Sequence, residues 1–86
     1  MNYSNIIVYA TKTCPYCTMA ADWLTDKKVK FEKILVDENQ QAAMEMVKNT
    51  GQMGVPVIEV QYKDRKSEYL VGFNPPQLAY MLGVQS

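Results

Sequence analysis

Apolar residues fall along this chain in distinct rhythms, and each rhythm predicts an element. Ile6-Ile7-Val8-Tyr9-Ala10 is an unbroken, largely β-branched run with polar neighbours on both sides, as expected of a central strand buried on both faces. After Pro15 the spacing becomes helical: Cys17, Ala20, Ala21 and Leu24 share one side, with Trp23 at its border. Pro15 suits the first turn of that helix, where an N–H has no partner in any case. Lys27 and Lys28 suit its C-terminal end electrostatically. Residues 31–36 alternate, Phe31, Lys33 and Leu35 against Glu32, Ile34 and Val36, and predict a second strand. Asp37, Glu38 and Asn39 then supply turn and N-cap chemistry. A helix over 42–48 follows, with Ala43, Met46 and Val47 directed inward and Gly51 as its terminator. Residues 57–62 predict a strand, Lys63-Asp64-Arg65-Lys66 a charged turn, and residues 67–71 the returning partner of a hairpin. Asn74 caps a last helix entered through Pro75 and Pro76, with Leu78, Met81 and Leu82 on one face and Gly83 at its end.

The predicted order is β-α-β-α-β-β-α. The first β-α-β is expected to be a right-handed crossover between parallel strands. The last two strands form an antiparallel hairpin, giving a mixed four-stranded α/β sheet with helices on both faces. Eighty-six residues make one domain, 1–86, with no room for a second. Apolar residues at 48% and charged residues at 21% are ordinary globular values. Nine basic residues balance nine acidic ones, so the basic excess that a general nucleic-acid binder needs is missing. Uninterrupted apolar runs reach only five residues, at 6–10 and 78–82, against the roughly 20 that span a bilayer. The expectation is a soluble, cytoplasmic monomer with no nucleic-acid or membrane partner. The six methionines are expected mostly in the core, although Met53, beside Pro56, is placed to line a substrate surface. Lys27, Lys28, Lys30 and Lys33 read as a solvated face, or as one that attracts an acidic partner.

The chemistry lies in two cysteines, Cys14 and Cys17, in a chain with no histidine. A bridge between them closes too short a loop to restrain the unfolded chain much, so the pair reads as reactive rather than structural. Zinc wants four ligands, and there is no further Cys or His to complete a site. Cys14 is expected at the start of the first helix, where unpaired N–H groups and the helix dipole favour negative charge, with Lys12 as a further nearby positive charge. Such settings bring a thiol from about 8.5 to roughly 3.5–7.5. Cys14 is then the nucleophile that forms a mixed disulfide, and Cys17, one turn deeper and partly covered, resolves it. Tyr16, between them, is an exposed contact residue. Pro56, at the head of an apolar strand, is either an edge residue or a cis-proline turn. If its loop faces Cys14, the Val55 backbone is free to pair with an extended substrate.

Cys14-Pro15-Tyr16-Cys17 after the first strand, the Val55-Pro56 loop and the β-β-α ending resemble the glutaredoxin family of the thioredoxin fold, over residues 6–83. Residues 51–58 and the turn Val71-Gly72-Phe73-Asn74 are similar to small prokaryotic glutaredoxin-like proteins of the YruB type. The ending is also similar to redoxins that feed ribonucleotide reductase. The resemblance implies a thiol–disulfide oxidoreductase that reduces protein or mixed disulfides through the redox-active Cys14–Cys17 pair, with no bound cofactor or metal. It also implies a cis Pro56 beside the active site and substrate contacts from Lys12, Pro15, Tyr16, Val55, Pro56, Gly72 and Phe73. Recycling is expected from glutathione or from a flavoprotein such as thioredoxin reductase. Glutathione users of the family carry a basic residue three positions before the first cysteine, where this chain has Thr11. They also carry a Gly-Gly turn followed by an acid; here the turn holds one glycine, Phe73 and no acid, which favours the flavoprotein. The alternatives implied are a dimer sharing an iron–sulfur cluster through Cys14 and external thiols, and a dedicated electron donor to one partner such as ribonucleotide reductase.

Overall fold

A computed structural model describes residues 3–84. The elements are β1 (Tyr3–Ala10), α1 (Pro15–Asp26), β2 (Glu32–Leu35), α2 (Gln40–Thr50), β3 (Val57–Tyr62), β4 (Glu68–Val71) and α3 (Pro75–Leu82). They form one four-stranded sheet in the order β2-β1-β3-β4. The β1–β2 pair is parallel, with Val8 opposite Lys33 and Ala10 opposite Leu35. β3 runs antiparallel to both β1 and β4. The expected order of elements, the parallel crossover and the hairpin are all present.

The apolar run in β1 is buried on both faces because a helical layer covers each. Ile6, Val8 and Ala10 join Cys17, Ala20, Leu24, Ile58, Val60, Leu78 and Leu82 in the larger core, under α1 and α3. Ile7 and Tyr9 point the other way, to Val57 and to Ala42 and Met46 of α2. Strand alternation therefore divides the interior into two cores, and Cys17 belongs to the α1–α3 side.

Several boundaries and positions differ from expectation. β1 starts at Tyr3, three residues before its apolar run, because β3 is long enough to pair with it; the register is irregular between Tyr3 and Asn5. α2 starts at Gln40, since the Asn39 side chain caps it by accepting from the Ala42 N–H at 3.0 Å. Its fully buried residues are Ala42 and Met46, while Ala43 and Val47 are half-buried. Met81 is likewise half-buried on α3. The expectation of core methionines fails: Met46 is buried, but Met19, Met44 and Met53 are exposed, and Met1 lies outside the described residues. Two thin cores hold few long side chains, and these three lie on outer helix faces or in a loop. No helix among the described residues is long and apolar enough to cross a membrane.

Candidate active site

The site forms where β1 ends. Parallel pairing brings the C-terminal ends of β1 and β2 together, and the Val36 N–H closes the junction by donating to the Ala10 carbonyl at 2.8 Å. The chain leaves Ala10 through a three-residue turn and enters α1 at Cys14, whose extended backbone (φ −94°, ψ 109°) makes it the N-cap. Its sulfur takes the role usually filled by a Ser or Asp oxygen: the Cys17 N–H donates to Cys14 Sγ at 3.3 Å. Pro15, at the first helical position, has no N–H to leave unpaired. The first turn of α1 therefore presents this N–H to the Cys14 sulfur.

The two thiols differ in access. Cys14 is half-buried, and Cys17 is 1% exposed on the inner face of α1; both are free. Cys17 is more deeply covered than its sequence position suggests. Burial pushes its thiol up to about 11, helped by its hydrogen bond with Cys14 and opposed by the Thr11 backbone and the Lys33 charge. Tyr16 is 61% exposed beside the pair.

Across from Cys14 lies the loop before β3. Val55–Pro56 is a cis peptide, which resolves the choice between an edge residue and a turn. Cys14 Sγ–H points at the Val55 carbonyl at 3.9 Å, so the loop does face the thiol. Pro56 is buried, and its carbonyl accepts from the Gly72 N–H at 2.8 Å. That bond ties the turn after β4 to the loop. Gly72 has φ +83°, a conformation that glycine takes without steric cost. Phe73, half-buried, packs against the same core as Cys14 and Val55. The structure thus brings Cys14, Pro15, Tyr16, Cys17, Val55, Pro56, Gly72 and Phe73 together.

Lys12 departs from expectation. Its ammonium pairs with Glu38, and its backbone N–H donates to Asp37 Oδ2 at 3.3 Å. Two acids at the end of β2 claim it because the parallel crossover sets that turn beside residues 11–13, a proximity that sequence spacing does not reveal. Met53 is 77% exposed near the cis-proline loop, as a surface role requires. A surface groove lies elsewhere, between β4 and α3, and Cys14, Cys17 and Val55 do not line it.

The last helix, α3, begins as the sequence predicts. Asn74 Oδ1 accepts from the Gln77 N–H at 3.3 Å, and Pro75 and Pro76 occupy the first two helical positions. A helix N-terminus ordinarily offers free N–H groups to an anion. Here two of them do not exist and the third is taken. The residues were plain in the sequence, but the tie between the turn before them and the cis-proline loop, the Gly72–Pro56 bond, was not.

A glutaredoxin family model matches residues 6–64. Glutaredoxin 3 of Escherichia coli is 38% identical over 55 residues, a stretch covering 64% of this chain and 66% of that protein, just under two thirds of its length. The glutaredoxin-like protein NrdH of Lactococcus lactis is 32% identical over 74 residues, covering 86% of this chain and 94% of that one. Among solved structures, the glutaredoxin of Methanosarcina mazei superposes with a TM-score of 0.77 at 26% identity, over 96% of this chain and 84% of its own. The match thus takes in the cysteine turn, the crossover and the cis-proline loop, and the chain belongs to the glutaredoxin family.

Proposed function

We propose that this protein reduces protein disulfides by dithiol–disulfide exchange. The observation that carries the reading is the pairing of a half-exposed Cys14 sulfur, held under the Cys17 N–H at 3.3 Å, with a Cys17 thiol buried directly behind it. The Cys14 thiolate attacks a substrate S–S bond. One substrate sulfur leaves as a thiolate and takes up a proton, while the other stays bound to Cys14 as a mixed disulfide. Cys17 then gives up its proton and attacks Cys14 Sγ, and the second substrate thiol departs. Two electrons pass to the substrate, leaving a Cys14–Cys17 disulfide. The Val55 backbone, opposite Cys14, suits an extended substrate segment laid alongside it.

The disulfide is returned to dithiol by a flavoprotein reductase of the thioredoxin reductase class rather than by glutathione. The start of α3 supports this choice. The tripeptide carries two carboxylates, and the N-terminus of α3, which follows the turn tied to the cis-proline loop by the Gly72–Pro56 bond, has no free donor for either among residues 75–77. Phe73 adds bulk at the same turn.

NADPH consumption with a disulfide substrate, under two recycling systems, tests both parts. With thioredoxin reductase alone we expect turnover that Cys14→Ser abolishes. With glutathione and glutathione reductase we expect at least about tenfold less, the effect of losing one hydrogen bond to a charged group. Turnover only with glutathione would overturn the choice of reductant. Turnover with neither would overturn the oxidoreductase reading.

A further inference from the structure

Four lysines stand outside this chemistry. Lys27, Lys28, Lys30 and Lys33 fall within seven residues, from the end of α1 into β2. None is in an ion pair: the salt bridges among the described residues are Lys12–Glu38 and Arg65–Asp64. The Lys27 ammonium lies 5.6 Å over the Trp23 ring, while Lys28, Lys30 and Lys33 are exposed. Strand alternation decides which way Lys33 faces. Phe31 and Leu35, two residues to either side, pack on the α1–α3 core, whereas Ile34 packs on the α2 side. Lys33 is therefore on the α1 face beside Val8, its partner across the parallel pair, and Glu32 is on the opposite face. Asp22 and Asp26, both exposed on α1, are the acids left nearby.

Lys33 links the band to the redox site. Val8 and Cys17 share one core, and the Lys33 charge acts on the Cys17 thiol. A lysine on β2 also guards an open sheet edge, and Lys27 and Lys28 complement the α1 dipole. Neither role calls for four lysines without an ion pair within seven residues, one of them beside the core that holds Cys17, in a chain whose net charge is zero.

We infer that this lysine band is the docking surface for an acidic segment of the protein whose disulfide Cys14 opens. The inference rests on the redox reading of Cys14 and Cys17. α1 has 12 residues, which is about 18 Å at 1.5 Å per residue. An extended segment at about 3.3 Å per residue covers that length in five or six residues. The acidic block therefore begins close to the substrate disulfide and extends about six residues from it.

Single-turnover reduction of synthetic disulfide peptides by the prereduced protein tests this without any recycling enzyme. Three peptides share one disulfide core and differ in a flanking block of about six acidic, neutral or basic residues. At low salt the acidic peptide should react roughly tenfold faster than the neutral one, within the range of electrostatic steering. The preference should shrink toward parity at high salt. In the K27Q/K28Q/K30Q/K33Q variant the acidic-to-neutral ratio should fall to about one; reading a ratio cancels any change in the chemical step. Equal rates for acidic and neutral peptides, faster reaction of the basic peptide, or a preference that survives in the variant would each overturn the docking surface while leaving the redox reading intact. Reduction of none of the three overturns the redox reading and this inference with it.

Discussion

Cys14 and Cys17 are three residues apart, yet they occupy different environments, and that difference governs their chemistry. Cys14 ends the loop and accepts an N–H; Cys17 sits in an apolar core with its thiol pushed up to about 11, chiefly by burial. Three consequences are measurable. Cys17→Ser should stop the reaction at the mixed disulfide, so that mass spectrometry finds one substrate thiol attached to Cys14; free substrate and no adduct would show that another group resolves it. The rate of resolution should rise with pH, because burial holds the Cys17 thiol above its ordinary value and more of it ionises as the solution becomes more alkaline. Stability of the reduced protein moves the other way. Between the ordinary thiol value of 9.0 and about 11, the unfolded chain has released the proton that the folded chain still holds. Stability is thus fully present below pH 9, falls through this window, and levels off above it. Tyr9, Tyr62 and Tyr69 are also raised and add to the loss at high pH. The test is therefore the difference between wild type and Cys17→Ala in urea unfolding at pH 8 and pH 10.5. Wild type should lose more, on the order of 2 kcal/mol, since a tenfold change in proton affinity is worth about 1.4 kcal/mol. Equal losses would mean that Cys17 ionises as freely when folded as when unfolded.

Helix termini carry much of what distinguishes this fold from its amphipathic pattern. α2 ends at Gly51 with φ +76°, so Gly51→Ala should cost about 1–2 kcal/mol, the penalty for a side chain in left-handed backbone; an unchanged urea midpoint would rule out that geometry. At α3, Pro75→Ala with Pro76→Ala restores two N–H groups at the helix start. Glutathione-supported turnover should then rise about tenfold, the equivalent of one hydrogen bond to a charged group, while thioredoxin reductase-supported turnover stays the same. No gain would move the discrimination to Phe73. The caps themselves were legible in the sequence: Asn39, Gly51, Asn74, Gly83 and Pro15 all stand where composition placed them. So were the element order and the two cysteines, because strand alternation, helical spacing and C-x-x-C are local patterns. Polar extensions were not legible. Residues 3–5 and 40–41 join their elements through pairing and capping rather than apolar rhythm. The pairing of Lys12 was hidden for a related reason, since its partners are 25 and 26 residues away and only the crossover brings them near.

At the scale of the whole molecule, the sheet separates two jobs. The α1–α3 side holds Cys17 and the larger core. The α2 side holds a smaller core and, at its margin, a buried carboxylate that no sequence pattern singles out. Glu59 is 7% exposed; it accepts from Tyr9 Oη at 2.8 Å and Gln61 Nε2 at 3.2 Å, and also interacts with Tyr69 across the β3–β4 pair. The Tyr9–Glu59–Tyr69 contacts cross three strands, where the small α2 core (Ala42 and Met46 from the helix) runs out. Glu59→Ala leaves the Tyr9 hydroxyl buried without its acceptor, a loss of about 1–3 kcal/mol. In a domain of this size that lowers Tm by roughly 5–20 °C, at about 4–8 °C per kcal/mol. Pairing it with Tyr9→Phe should recover part of the loss, because the stranded hydroxyl is then gone. Disulfide reduction at 25 °C should stay within about twofold of wild type, because Glu59 and Cys17 lie on opposite faces and mutations without shared partners act independently. A tenfold fall in turnover from a variant that remains folded would show instead that the α2 side participates in positioning the thiols, and that the sheet transmits between its faces rather than insulating them.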